Sequence, residues 1–158
     1  MRISSLAALG QSLAIIAMGV LYYVVFYKEY KIIALVALAC FLLAAITSTV
    51  GKIGANALIP LSQDFVEAGA PASSYYQTQG DFLYNGVDRR GYELQMLFTG
   101  LGFLLVNYLL YISGSIPRVI SIWGLASVFI SLIPAVLTLY DREFLPGATL
   151  LAIPFAPY

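Results

Sequence analysis

The chain has 158 residues, of which 61% are hydrophobic and 10% are charged, and its eight basic and eight acidic side chains give a formal net charge of zero. Soluble domains are about 45–50% apolar and about 25% charged, so this composition excludes an ordinary soluble domain. The balanced charge, with no basic tract, also argues against a nucleic-acid-binding protein.

Charged residues are spaced so that four windows carry none: 3–27, 32–51, 94–117 and 119–140. Each window is close to the roughly 20 residues that a helix needs to cross about 30 Å of hydrocarbon, and a helix satisfies its own backbone hydrogen bonds in lipid. The strands of a membrane β-barrel alternate apolar and polar residues, and the residues of these windows do not. The sequence therefore predicts an all-α integral membrane helical bundle, with one membrane domain over 1–158.

Taken in chain order, the four predicted transmembrane helices cover about 4–27, 32–59, 91–112 and 118–140. A short charged turn, Lys28–Lys31, joins the first two, and the second is expected to end before Pro60, because proline disfavours helix in the residue before it. Residues 61–90 are predicted to form a long polar loop. The tail 144–158 is uncharged but holds three prolines, so it is expected to be a partial fifth apolar segment.

The charges of the connections predict an orientation. The loop 61–90 holds four acidic residues and no basic one before Arg89, which is typical of a translocated segment, whereas the turn 28–31 carries two lysines. Short loops rich in lysine and arginine stay on the cytoplasmic side of a membrane. We therefore expect the loop 61–90 outside and both short turns, 28–31 and 113–117, inside.

Several stretches together resemble a known family. Leu21–Tyr23 is followed, after the charged turn, by the apolar run Ile32–Ala45; Tyr108–Arg118 forms a glycine–proline–arginine turn between two crossings, and Leu151–Phe155 stands near the end. This order resembles the prokaryotic membrane family called domain of unknown function 4386. The resemblance implies a multi-pass protein of the prokaryotic plasma membrane and brings no known activity. The family often has a histidine before the third helix, where Asp88–Arg90 stand here.

The chain lacks the residue types that most active sites need. It has no histidine and one cysteine, so the common haem and zinc ligand is missing, and Ser-His-Asp, Cys-His and iron–sulfur sites cannot be built within it. It also has no Walker loop and no dinucleotide-binding glycine fingerprint. We expect no catalytic residue, no metal ligand and no cofactor.

Lys52 is an ionisable residue near the end of the second predicted helix, and Ser48 and Asn56 fall near the same helical face at a spacing of four. A charge inside a crossing needs a partner. The candidate partners are Asp64, Glu67 and Glu93. One interpretation is a polar membrane site for an ion or a small solute. The other, which we favour, is a helix end at which Lys52 reaches the membrane interface.

The third and fourth predicted helices carry small and polar residues at helical spacing. They are Gly100 and Asn107 on the third helix and Gly124, Ser127 and Ser131 on the fourth. Small residues let helices approach closely in a membrane, and polar groups can then hydrogen-bond across the interface. We expect these two faces to pack together; a substrate site is the less favoured interpretation.

Three tyrosines of the predicted loop, Tyr75, Tyr76 and Tyr84, form a candidate partner surface. Tyrosine is enriched both at protein interfaces and at the level of lipid headgroups, so either contact would suit them. The acidic residues of the same loop match no calcium-binding spacing, and a solvated loop is the favoured interpretation for them.

These observations predict a non-catalytic accessory or structural subunit of a larger membrane complex. Its expected partners are the lipid bilayer and other membrane subunits or further copies of itself, with no nucleic acid. The first alternative is a small-solute or ion transporter or channel that acts as an oligomer and uses the Lys52 face. The second and least favoured alternative is a membrane enzyme that uses the loop carboxylates.

Overall fold

The computed structural model describes residues 2–67, 69 and 75–140, with side chains over 9–67, at 69 and over 75–137, and every regular element in these residues is helical. The elements are α1 Arg2–Glu67, α2 Tyr75–Asp81, a π-helix Phe82–Asp88, α3 Arg89–Ser113 and α4 Arg118–Tyr140. The predicted tail segment 144–158 lies outside the described residues.

The long helix α1 is broken at Tyr30, where the backbone leaves the helical region (φ −129°, ψ 45°). We call residues 2–29 its first limb and residues 31–67 its second limb. The limbs run antiparallel, because the Ser12 and Thr49 hydroxyls lie 3.2 Å apart and the rings of Tyr22 and Phe41 stack. The break falls in the charged turn that the sequence placed between two apolar windows.

The core lies where the two limbs meet α3. One buried cluster joins Phe26 of the first limb, Ala34 of the second and Leu109 of α3. A second cluster joins Ala37 and Phe41 of the second limb with Val106 of α3, with Ile15 and Tyr22 of the first limb packed against it. These contacts show that α3 runs antiparallel to the second limb. The two limbs of α1 and α3 together form a three-helix bundle.

Helix α4 returns along α3 after a tight turn. Gly114 takes the left-handed conformation that ends α3 (φ 65°, ψ 13°), which glycine adopts without a steric cost. Among the described elements α4 packs against α3 alone. It is therefore the outer helix of the bundle, and much of its apolar surface stays exposed, including Trp123 and Phe129.

Three of the helical stretches are long and apolar enough to cross a membrane: Leu9–Glu67, Tyr75–Ser113 and Arg118–Leu137. The predicted all-helical, membrane-like fold is thus confirmed for the described residues. Four separate helices are not found, because the first two predicted helices join through Tyr30 without an intervening loop.

The prediction of a polar loop over residues 61–90 is wrong for most of that range. The second limb of α1 continues through Pro60 to Glu67, and the chain is helical again from Tyr75. Helix persists there because apolar groups of the two segments meet: the Phe65 and Tyr76 rings lie 6.4 Å apart, and Gly80 faces the Leu61 side chain. We call the helical pair 52–67 and 75–88 the stalk.

Candidate functional site

The second limb of α1 and α3 approach most closely at a pair of glycines. A β-carbon built on Gly91 would stand 2.8 Å from the Cα of Gly51 and 2.9 Å from the carbonyl oxygen of Thr47. Backbone atoms cannot move out of the way by a rotamer change, as a flexible side chain can. Position 91 therefore needs a residue without a side chain. Close contact continues into the stalk, where Gly54 faces Val87.

Lys52 follows Gly51 directly, and its ammonium faces Asp88 across the crossing. The Lys52 Nζ lies 3.9 Å from Asp88 Oδ1, and 47% and 24% of the two side chains are exposed. A pair this open is screened by water and contributes no more than about 1 kcal/mol. The structure gives Asp88 as the partner in place of the three expected carboxylates, because Asp88 lies about one helical turn before Gly91 and so stands beside the glycine crossing.

Glu93 is a buried carboxylate one turn into α3, with 9% of its side chain exposed. Arg89 Nε donates to its Oε1 at 3.3 Å, and Arg90 Nε lies 3.9 Å from its Oε2. The Oε2 atom is buried and accepts no hydrogen bond. A buried charge without a partner would be costly, and the two half-exposed arginines supply the Glu93 carboxylate with partners at this end of the bundle.

Ser48, Lys52 and Asn56 do not form one face in the structure. Ser48 is buried, whereas Lys52 and Asn56 are exposed. A spacing of four residues overshoots one helical turn by about 40°, so successive steps of the pattern rotate away from the neighbouring helix. Only Ser48 is enclosed in the bundle, whereas Lys52 and Asn56 lie on its surface.

A small polar layer lies beside Ser48 and was not predicted from the sequence. Ser12 and Gln95 are buried there, and Ser12 shares a hydrogen bond with Thr49. Gln95 is level with Ser48, because Gly91 faces Gly51 and Gly102 faces Phe41 along the antiparallel pair. The available signal was that Ser12 and Gln95 are polar residues within uncharged windows. Such groups stabilise helix association modestly, by about 1 kcal/mol each.

Three of the residues predicted to join helices three and four, Gly100, Asn107 and Gly124, lie at the α3–α4 interface. Gly124 lies directly against the amide oxygen of Asn107, and Gly100 lies against the Leu132 side chain. The Asn107 amide donates to the Phe103 carbonyl oxygen of its own helix at 2.9 Å, so this hydrogen bond does not cross to α4. Glycine here makes room for a side chain from the other helix.

The two predicted serines of α4 are placed differently from each other. Ser127 is half-buried, whereas Ser131 is exposed and its hydroxyl donates to the Val128 carbonyl oxygen at 2.8 Å. The fully buried serine of α4 is Ser121, whose hydroxyl oxygen has no hydrogen-bond partner. Spacing alone did not separate the two faces, because almost every residue of α4 is apolar or small.

The three predicted tyrosines take two roles in the stalk. Tyr75 and Tyr84 are exposed, with 72% exposure for Tyr75. Tyr76 turns inward and packs edge-on against Phe65. The exposed aromatic surface therefore excludes Tyr76 and includes Phe82, which sequence reasoning missed because the return segment was expected to be a loop.

Across the described residues, acidic and sulfur-bearing side chains do not gather in a group of three that could hold a metal ion. The sequence profile of the family described as Domain of unknown function (DUF4386) matches residues 1–157. The chain belongs to that family. Comparison with curated proteins and with solved structures gives no match.

Membership in the DUF4386 family confirms the predicted resemblance over nearly the whole chain. The family's description names no activity. The segment Asp88–Arg90, which replaces the expected histidine, supplies three of the five charges at the glycine crossing. In this member the position forms ion pairs, two with Glu93 within α3 and one with Lys52 of the second limb.

Proposed function

We propose that this DUF4386 member crosses the plasma membrane of a prokaryotic cell four times, with the two limbs of α1, α3 and α4 as the crossings. The positions of the charged residues along the helices support this proposal. Lys31 and Lys52 bound a stretch of the second limb that rises about 30 Å, and Glu93 and Arg118 bound a similar stretch around α3. The stalk then projects beyond the hydrocarbon, on the outer side, and both short turns lie inside.

The proposed role is that of a non-catalytic accessory subunit in a larger membrane assembly. The observation that carries it is the closed centre of the bundle. Phe41 fills the space between the two limbs and α3, with Gly19 and Gly102 lying directly against it, and its ring meets Phe103 edge-on at 5.3 Å. A water-filled path through one copy would have to pass this aromatic residue.

The outer surface supports the same role. Helix α4 packs against one neighbour only among the described elements and exposes large apolar side chains along its length, including Val119, Ile122 and Trp123. Lipid can cover such a surface, and so can the helix of another subunit. A small chain that has a closed centre and an exposed apolar surface on α4 is suited to association with other membrane subunits.

The alternative is a small-solute or ion transporter that acts as an oligomer. The polar layer around Ser48 and the Lys52–Asp88 pair favour it, since both lie at the same end of the bundle. A path would then have to run between copies, because Phe41 closes the centre of each copy.

Gentle detergent extraction from native membranes, followed by native mass measurement of the particle, tests the accessory role. The expected result is a particle that contains this chain and other membrane proteins in a fixed ratio. Recovery of the chain alone, or only as a homo-oligomer, would overturn the accessory role and leave the transporter alternative.

A further inference from the structure

The stalk is a packed helical pair with a filled inner side. Gly54 and Leu61 of the second limb face Val87 and Gly80 of the return segment, and Phe65 meets Tyr76. These contacts repeat at helical spacing along both partners. The stalk therefore has a defined outer surface, formed by the residues that point away from these contacts.

That outer surface carries large apolar side chains beyond the level of the charged glycine crossing. Tyr75 is 72% exposed and Phe82 is 64% exposed, and Tyr84 and Val66 of the stalk are also exposed. Lipid tails do not cover this part of the chain if the membrane ends at Lys52. Exposed aromatic and apolar groups that face water are typical of protein interaction surfaces.

The charge of the stalk narrows the choice of partner. Asp64, Glu67 and Asp81 are all exposed, and among the described residues none of them forms an ion pair. No lysine or arginine stands between Lys52 and Arg89. The stalk therefore presents three negative charges that no described residue pairs with, on the same helical pair as its exposed aromatic residues.

We infer that the stalk is the docking surface for a cationic segment, rich in lysine or arginine, in a long outer domain of a partner membrane subunit, since long domains are translocated largely regardless of their charge. The inference rests on the proposed accessory role and names the chemistry of its partner. Anionic lipid headgroups would be repelled by Asp64, Glu67 and Asp81, and so would the stalk of a second copy. A cationic partner satisfies both features, because its apolar groups cover the aromatic residues and its charges pair with the carboxylates.

Photo-crosslinking in native membranes tests the inference. The full chain would carry benzoylphenylalanine in place of Phe82, and a second variant labelled at the exposed Leu13 of the first limb of α1 is the positional control. The expected adduct at Phe82 joins the chain to a subunit that also co-purifies with it, within a segment of that subunit that is rich in lysine or arginine. Asp64→Asn with Glu67→Gln should lower the adduct yield about fivefold, since two ion pairs are lost.

The charge-conserving pair Asp64→Glu with Glu67→Asp is the matched control and should keep the adduct yield. An adduct only to lipid or to a second copy, or no adduct from Phe82 while subunits still co-purify, would overturn the docking surface and leave the accessory role standing. An adduct that the neutral variant does not reduce would overturn the cationic partner. Absence of any co-purifying subunit would overturn the accessory role itself.

Discussion

The two long interfaces of α3 are built differently. On the side of α1, glycine meets backbone: Gly91 stands against Gly51 and the Thr47 carbonyl, with Phe41 enclosed further along. On the side of α4, glycine meets the far end of a side chain, as Gly124 does with Asn107. The first interface has almost no freedom to adjust, whereas the second can adjust by rotating a side chain.

Because of this difference, one part of the bundle is rigid and the other can separate from it. The α1–α3 interface encloses the buried clusters around Phe26 and Phe41, whereas α4 touches α3 alone among the described elements. In lipid, where apolar burial between helices gives little driving force, close packing decides which pairs persist. We expect α1 and α3 to stay associated under conditions in which α4 separates.

The largest effect is expected for Phe41→Ala, which empties the centre of the α1–α3 interface. The lost contacts with Gly19, Gly102 and Phe103 should lower the free energy of unfolding by about 3 kcal/mol. Equilibrium unfolding in mixed detergent micelles measures it. Phe129→Ala is the control, since Phe129 is exposed on α4 and its loss should change little. Equal effects of both substitutions would contradict an enclosed Phe41.

Gly91→Ala should have the next largest effect, because the added methyl group meets backbone atoms on the second limb of α1. Overpacking of this kind should lower the free energy of unfolding by about 2 kcal/mol. Gly10→Ala is the matched control, since a β-carbon there has nothing within 4 Å. Gly100→Ala should fall between them, because Leu132 can move. If Gly91→Ala behaves like Gly10→Ala, the helices are further apart at the crossing than the structure shows.

Asn107→Ala probes the adjustable interface and should cost about 1 kcal/mol, because it removes the contact with Gly124. Gly124→Ala alone should also destabilise, since its methyl group would displace the Asn107 side chain. The double variant should be more stable than the sum of the two single effects predicts. Strict additivity in the same micelle assay would show that the two residues do not meet.

The sequence predicted the helical, membrane-like character of the chain because uncharged windows alone determine it. It missed the stalk, since Pro60, Gly69 and Gly80 signal a loop locally, while the contacts that keep helix there join residues far apart in the chain. The α3–α4 residues Gly100, Asn107 and Gly124 lie at their interface because small residues at helical spacing mark close approach. Asp88 was missed as the partner of Lys52 because residues 61–90 were predicted to be a loop, so nothing placed Asp88 one helical turn before the Gly51–Gly91 crossing.

Lys52→Ala should have the smallest effect on stability, within about 0.5 kcal/mol, because the Lys52–Asp88 pair is long and half exposed. Lys28→Ala, at the opposite end of the bundle and also exposed, is the matched control. The same two variants separate the functions when they are reconstituted in vesicles that contain a sodium- or proton-sensitive dye. An accessory subunit should give no flux above empty vesicles in any of the three proteins. Flux in the natural chain that Lys52→Ala abolishes, with Lys28→Ala and folding unaffected, would replace the accessory role with a transporter in which Lys52 lines the path.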